Sequence, residues 1–361
     1  MGEVFAGRYE LIDPIASGGM GTVWRVRDRQ DGEVKAAKML RQTDAAMLLR
    51  FVREQSMRIN HPHVVTPQSW AGVDDRVLFT MPLVRGGSVT TLLRRYGALP
   101  PRWIAPLVDQ TLQALEAVHA AGIVHRDIKP GNLLLEPTGR SRPHLRLTDF
   151  GIAVPSDEPR LTHVAMVIGT PGYMPPEQYD GADPDPSADV YALGMVVLEM
   201  LTASKPPREP VAFDPAPLRN GDPHHDAVVD LIAAAATNDP AARPTASQLR
   251  THPALRMLLE LPPVPGDPIE IVDEFPALPE PAGDRVTAPH SPPTLPPPPG
   301  ARTGPTARLG SGTAVLPPPS ESLPAPSAYP AAPARRSPLV GAFVLLLGLV
   351  GVAVSAWLLL G

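Results

Sequence analysis

His125-Arg126-Asp127-Ile128-Lys129-Pro130-Gly131-Asn132 is the strongest chemical signal in the chain, and Asp149-Phe150-Gly151 follows with Asp149 17 positions after Asn132. Taken singly, these residues have ordinary structural readings. Asp127 and Asp149 would be turn or strand-end residues, and His125 would be a structural histidine. Their order, their spacing and the elements on either side give them a sharper meaning.

Upstream, residues 9–15 read as a short strand, 17–21 as a glycine-rich turn and 22–27 as the return strand of a hairpin. Residues 34–40 are a third strand, which carries Lys35-Ala36-Ala37-Lys38. Residues 43–59 read as a helix with Thr43 or Asp44 as N-cap, and 76–82 as another strand. Beyond residue 103 the character changes. Ile104, Leu107, Val108, Leu112, Leu115 and Val118 recur at helical spacing, and further helices are expected over 190–201, 226–236 and 246–259. A β-rich first lobe therefore precedes a helical second lobe, with the boundary near residues 85–88, and no internal repeat is visible.

Composition bounds the rest. The net charge of -5 over 361 residues implies no polybasic surface, so nucleic acid is not an expected partner. The absence of cysteine rules out disulfides and cysteine-ligated zinc. The N-terminus carries no apolar core of signal-peptide type. Residues 261–338 hold about three prolines in every ten positions, too little apolar content to fold. Residues 339–360 carry no charge and would span about 33 Å as a helix, against a hydrocarbon core of about 30 Å. That segment reads as a transmembrane helix. Arg335 and Arg336 just before it place the preceding chain in the cytoplasm by the positive-inside rule.

The ordered set Lys38, His125-Arg126-Asp127, Asn132 and Asp149-Phe150-Gly151 resembles the protein kinase family over about residues 8–255. Within it the chain resembles the eukaryotic-like Ser/Thr kinases of bacteria, many of which carry a proline-rich linker and one membrane span. The resemblance implies an α+β, bilobal kinase fold over 1–258, with the N-lobe about 1–84 and the C-lobe about 88–258. A disordered linker over 259–338 and the span over 339–360 follow. It implies ATP with Mg²⁺ or Mn²⁺, protein substrates, signalling at the cell membrane, and a transient homodimer for autophosphorylation.

Roles follow from the same resemblance. Phosphoryl transfer asks for positioning and charge neutralisation more than for covalent help. Lys38 would hold the α- and β-phosphates and Glu54 would hold Lys38. Asn132 and Asp149 would ligate the metal through hard oxygens. Asp127 would take the proton of the attacking hydroxyl. Lys129 would sit near the transferring phosphate, and a lysine there marks Ser/Thr kinases. Ile15, Val23 and Ala36 would line adenine from above and Leu134 from below, with Met81 as gatekeeper and Pro82 and Val84 as hinge. Proline keeps the carbonyl that adenine needs. The phosphate loop would be Ala16-Ser17-Gly18-Gly19-Met20-Gly21, where Ala16 departs from the family's first glycine.

Further implications are structural or regulatory. Glu177 would pair with Arg243, and Asp189 would brace the catalytic loop. Arg126 before the catalytic aspartate implies activation by a phosphate on the loop between Asp149 and Glu177, with Thr162 as first choice of acceptor. Thr170 would align substrate and catalytic residues. Three alternatives remain: a pseudokinase that binds nucleotide as a membrane scaffold, an interaction protein acting through its proline-rich segment, and a small-molecule kinase of similar fold, disfavoured by Lys129 and the segment 169–177.

Overall fold

The computed structural model describes residues 3–18, 21–41, 59–74, 76–149, 170–183, 185–209 and 213–275. Strands β1 (Val4–Phe5), β2 (Tyr9–Gly18), β3 (Gly21–Asp28), β4 (Val34–Arg41), β5 (Ser69–Val73) and β6 (Arg76–Pro82) form an antiparallel sheet. Their order is β1-β2-β3-β4-β6-β5. One face buries Phe5, Tyr9, Leu11, Val26, Ala37 and Leu78. Alternation along β3 and β4 leaves the other face toward the cleft.

The β2–β3 hairpin closes with Gly18 opposite Gly21. At Gly21 φ is +139°, and a Cβ there would lie 2.1 Å from the Met39 carbonyl oxygen, so only glycine fits. At the other end of β3, Asp28 is fully buried. The Arg8 guanidinium at 2.7 and 2.8 Å, with Lys35 Nζ at 2.9 Å, holds its carboxyl far below the usual range against the opposing effect of burial. This network fixes the root of the hairpin whose tip forms the glycine-rich turn.

The second lobe is helical: α1 (Val89–Tyr96), α2 (Pro101–Ala120), α3 (Pro176–Tyr179), α4 (Pro186–Thr202), α5 (Pro223–Ala235), α6 (Ala246–Arg250) and α7 (Pro253–Leu259). Several begin with proline, whose missing N–H costs nothing in the first turn. Asp185 caps α4 by accepting from the Ser187 N–H, and Asp222 caps α5 by accepting from His224 and His225. Helix α2 buries Ile104, Leu107, Leu112 and Leu115 completely, as the centre of one large core shared with α4, α5 and α7.

A two-stranded unit, β7 (Leu133–Leu135) with β8 (Leu145–Leu147), lies on this core. Residues 125–132 lead into β7, and Asp149 leaves β8. The hairpin therefore brings together two motifs that are 17 residues apart in sequence.

The structure differs from expectation in four places. The helix expected over 246–259 is two helices, because Pro253 cannot donate to a continuing ladder and starts α7 instead. β5 and α1 were not expected. Residues 261–275, expected as the start of a disordered linker, pack against the domain: Ile269 and Ile271 are 3% and 1% exposed. Two apolar residues in alternation with polar neighbours gave this segment enough burial to order despite its prolines.

The expected helix over 43–59 lies outside the described residues except for Ile59, and so do the linker beyond 275 and the expected span over 339–360. Among the described residues no helix is long and apolar enough to cross a membrane.

Candidate active site

Register places the cleft residues. β3 and β4 put Val23 opposite Lys38, and β4 and β6 put Ala36 opposite Met81 and Lys35 opposite Pro82. Ile15, Ala16, Ser17 and Gly18 lie on β2, and Val84 is buried just past β6. Leu134 is half-buried between fully buried Leu133 and Leu135, and bridges to Ser88 beyond the hinge. Gly19, Met20, Glu54 and Thr162 lie outside the described residues.

Lys38 Nζ donates to Asp149 Oδ1 at 2.7 Å, joining β4 of the first lobe to the segment after β8. The sequence pointed to Glu54 as the lysine's partner; among the described residues the ammonium meets Asp149. Asp149 has φ of 55°, in the left-handed region. A non-glycine residue there is strained, a condition that concentrates at functional sites.

The Asp127 carboxylate is held by three side chains. Lys129 Nζ donates to its Oδ2 at 2.6 Å, and the Thr170 hydroxyl donates to its Oδ1 at 2.7 Å. Asn132 Nδ2 reaches the Asp127 carbonyl at 2.7 Å and Oδ2 at 3.0 Å. Lys129 also donates to Thr170 Oγ1 at 3.1 Å. The Asn132 amide orientation follows from these bonds, since both acceptors need its NH₂. Its Oδ1 is thereby the atom available to a cation.

The loop is held from below. Asp189, on α4, accepts from the His125 and Arg126 backbone N–H groups, each at 2.8 Å, and contacts His119 Nε2 at 2.9 Å. Arg126 has φ of 66°, so Asp189 stabilises a backbone turn that arginine does not favour. Burial opposes ionisation of Asp189, but the His119 hydrogen bond and the nearby His125 outweigh it and hold the carboxyl below the ordinary range. His125 is fully buried, and burial pushes its imidazole down, toward the neutral form. Its Nδ1 accepts from the Asp127 N–H at 3.3 Å, which leaves Nε2 to donate to the Thr148 carbonyl at 3.0 Å. Thr148 and His119 were not singled out from sequence. Neither carries a local signal, because both act through partners distant in the chain.

Beyond the loop, Arg243 forms a bidentate pair with Glu177 at 2.5 and 2.8 Å. Its guanidinium is fully buried, stacks 4.9 Å over the Tyr191 ring and donates to the Thr237 carbonyl at 2.6 Å. The Tyr173 hydroxyl donates to buried Glu199, and burial followed by that bond pushes the phenol up. These contacts anchor the segment from Thr170 to Tyr179 beside Asp127.

The donor set suits a hard divalent cation with phosphates. Asn132 Oδ1 and the Asp149 carboxylate could supply two protein oxygens, and Mg²⁺ takes one or two such ligands beside phosphates and water. The Lys38 ammonium adds positive charge on the same side of the cleft.

Comparison with known proteins agrees. The protein kinase domain family matches residues 9–255. The chain is similar to serine/threonine-protein kinase PknA of Mycobacterium tuberculosis, 38% identical over 216 residues, 57% of this chain and 49% of the relative. It is also 38% identical over 215 residues to serine/threonine-protein kinase PkaA of Streptomyces coelicolor, 55% of this chain and 39% of the relative. Serine/threonine-protein kinase pkn3 of Myxococcus xanthus is 35% identical over 216 residues, 57% of this chain and 40% of the relative. The chain thus spans half or less of the length of these relatives. With the family matched over most of the chain and the site geometry in place, this protein belongs to the protein kinase family.

Proposed function

We propose that the chain transfers the γ-phosphoryl group of ATP, with Mg²⁺ or Mn²⁺, to Ser and Thr hydroxyls of proteins, itself included. One observation carries this reading: the Asp127 carboxylate is held at once by Lys129, Thr170 and Asn132. A base that must meet a hydroxyl proton needs a fixed aim, and three donors from two segments supply it.

Asp127 orients the substrate hydroxyl and accepts its proton. Lys129 sits beside Asp127 and Thr170, where it stabilises charge on the group in transfer. Asn132 and Asp149 would hold the metal, and Lys38 the α- and β-phosphates. ATP with its metal supplies the transferable phosphoryl group when bound. Ile15, Val23, Ala36, Met81, Val84 and Leu134 would enclose adenine, and the Pro82 carbonyl with the Val84 N–H would read its edge.

Regulation and location extend the same reading. Thr162 is the proposed autophosphorylation site, modified within a transient homodimer, with Arg126 as the cation that receives the phosphate. Residues 339–360 are proposed as a single span that anchors a cytoplasmic kinase domain, with residues 276–338 as tether.

The test is transfer of label from [γ-³²P]ATP to an unfolded protein substrate, followed by phosphoamino acid analysis. Label on Ser and Thr supports the reading. Label confined to Tyr, or nucleotide bound without transfer, would replace it.

A further inference from the structure

The segment after α7 crosses from one lobe to the other. At its start, Asp267 Oδ2 accepts from Arg102 and from the Trp103 indole, at 2.7–2.8 Å, at the head of α2. Ile269 and Ile271 then enter the main core, and Ile271 pairs with Gly139 through two backbone bonds of 2.9 Å. The Tyr96 hydroxyl donates to the Glu270 carbonyl at 3.0 Å and accepts from its N–H at 3.1 Å.

The contacts next reach the chain that joins the lobes. Arg85 follows the hinge directly. Its guanidinium meets Asp273 at 2.8 Å, and its carbonyl accepts from the Glu274 N–H at 2.8 Å. Glu274 also takes a bond from Arg95 at 2.8 Å. Gly86 lies under Ile271 so closely that a Cβ there would stand 2.6 Å from Ile271 Cγ2. Finally, Arg25 of β3 lies 5.3 Å over the Phe275 ring. One segment therefore touches α2, α1, the residues after the hinge and the first lobe.

We propose that residues 261–275 are a strap that sets the hinge, so that Ile271, Asp273 and Glu274 are positioning residues for nucleotide binding. The proposal rests on the kinase reading above only in placing nucleotide at this hinge. Arg85 is held on both its side chain and its carbonyl, and Gly86 is clamped between Ile271 and the Leu135 carbonyl, to which its N–H donates at 2.7 Å. The Pro82-to-Val84 backbone, one residue away, inherits that constraint. A floppy hinge would have to order on binding, and pre-ordering removes that cost.

The experiment uses the full chain and reads two quantities: affinity for a fluorescent ATP analogue, and hydrogen exchange of the amides of residues 83–87 without nucleotide. Asp273→Ala with Glu274→Ala removes the side-chain holds on Arg85 and Arg95 and leaves only the Glu274 backbone N–H on the Arg85 carbonyl. The pair is partly exposed, so the expected loss of nucleotide affinity is about two- to fivefold, with faster exchange at Arg85 and Gly86. Ile271→Ala removes the Cγ2 methyl that stands against Gly86 and should move both readouts the same way. Exchanging the charges, Asp273→Arg with Arg85→Asp, should recover affinity that Asp273→Arg alone loses. A cooperative thermal transition in each variant establishes that it is folded. Native affinity and native hinge exchange in the folded double-alanine variant would overturn the proposal. Because binding is read apart from turnover, a wild-type chain that binds nucleotide but transfers no phosphate would sink the kinase reading and leave the strap judged by these same two numbers.

Discussion

Lys38 of the first lobe and Asp149 of the second meet at 2.7 Å across the cleft, which makes this ion pair a direct link between β4 and the segment after β8. Both groups are the ones that phosphate and metal would engage. Lys38→Met should therefore leave folding intact and lower turnover by on the order of 10²–10³-fold, as loss of one preorganised charge does. Steady-state kinetics beside a thermal melt separate the two effects. A folded variant with native turnover would remove Lys38 from the site.

Thr170 is the contact that ties the far segment to the base. Its hydroxyl donates to Asp127 while it accepts from Lys129. Thr170→Val removes both bonds, and hydrogen bonds to charged groups contribute about 1.5–3 kcal/mol each, so kcat should fall by at least about tenfold. Thr170→Ser keeps the hydroxyl and should stay near wild type. A loss in Thr170→Ser with Thr170→Val near wild type would point to the methyl group instead.

Glu177 and Arg243 form a pair in which the guanidinium is fully buried. Glu177→Ala would strand that cation, at a cost of about 3–5 kcal/mol. The melting temperature should fall by roughly 6–20 °C, since a domain of this size loses about 2–4 °C per kcal/mol. Calorimetry of the variant decides. A shift under about 2 °C would mean that the Thr237 carbonyl and the Asn238 carbonyl, which accept from Arg243 at 2.6 and 3.1 Å, satisfy it alone.

Acid sensitivity follows from the histidines. Burial pushes His61, His63 and His125 below their ordinary range. Below about pH 6.5 the unfolded chain takes up protons that the folded chain refuses, so stability falls as pH drops through that value. Urea midpoints should decline from pH 7 to pH 5.5. His63→Gln, which keeps a donor for the Leu145 carbonyl that His63 Nδ1 meets at 2.7 Å, should flatten the slope. An unchanged slope would assign the sensitivity to other groups.

How far the sequence reached depends on the kind of signal. Asp127, Asn132 and Asp149 were legible because the motif residues lie close in sequence and the β7–β8 hairpin closes the remaining gap. Glu177 with Arg243 and Asp189 with residues 125 and 126 were legible through the resemblance, and the contacts are present. β5 was missed because its residue types do not follow its alternating exposure: Trp70, 42% exposed, shares the outward face with Gly72, and Ser69 lies on the other face. α1 carried an N-cap at Ser88 that was passed over beside the hinge. In 261–275, prolines masked the alternating Ile269 and Ile271, and nothing local reveals that Asp267 would find Arg102 and Trp103 more than 160 residues away.

The most direct test of the account is phosphosite mapping of the full chain after incubation with ATP and Mg²⁺ or Mn²⁺, beside Lys38→Met and Asp127→Asn. The account predicts phosphate on Thr162 in the unmutated protein and none in either variant. Nucleotide bound by all three proteins with no phosphate on any, or on a supplied protein substrate, would contradict it and leave a nucleotide-binding scaffold.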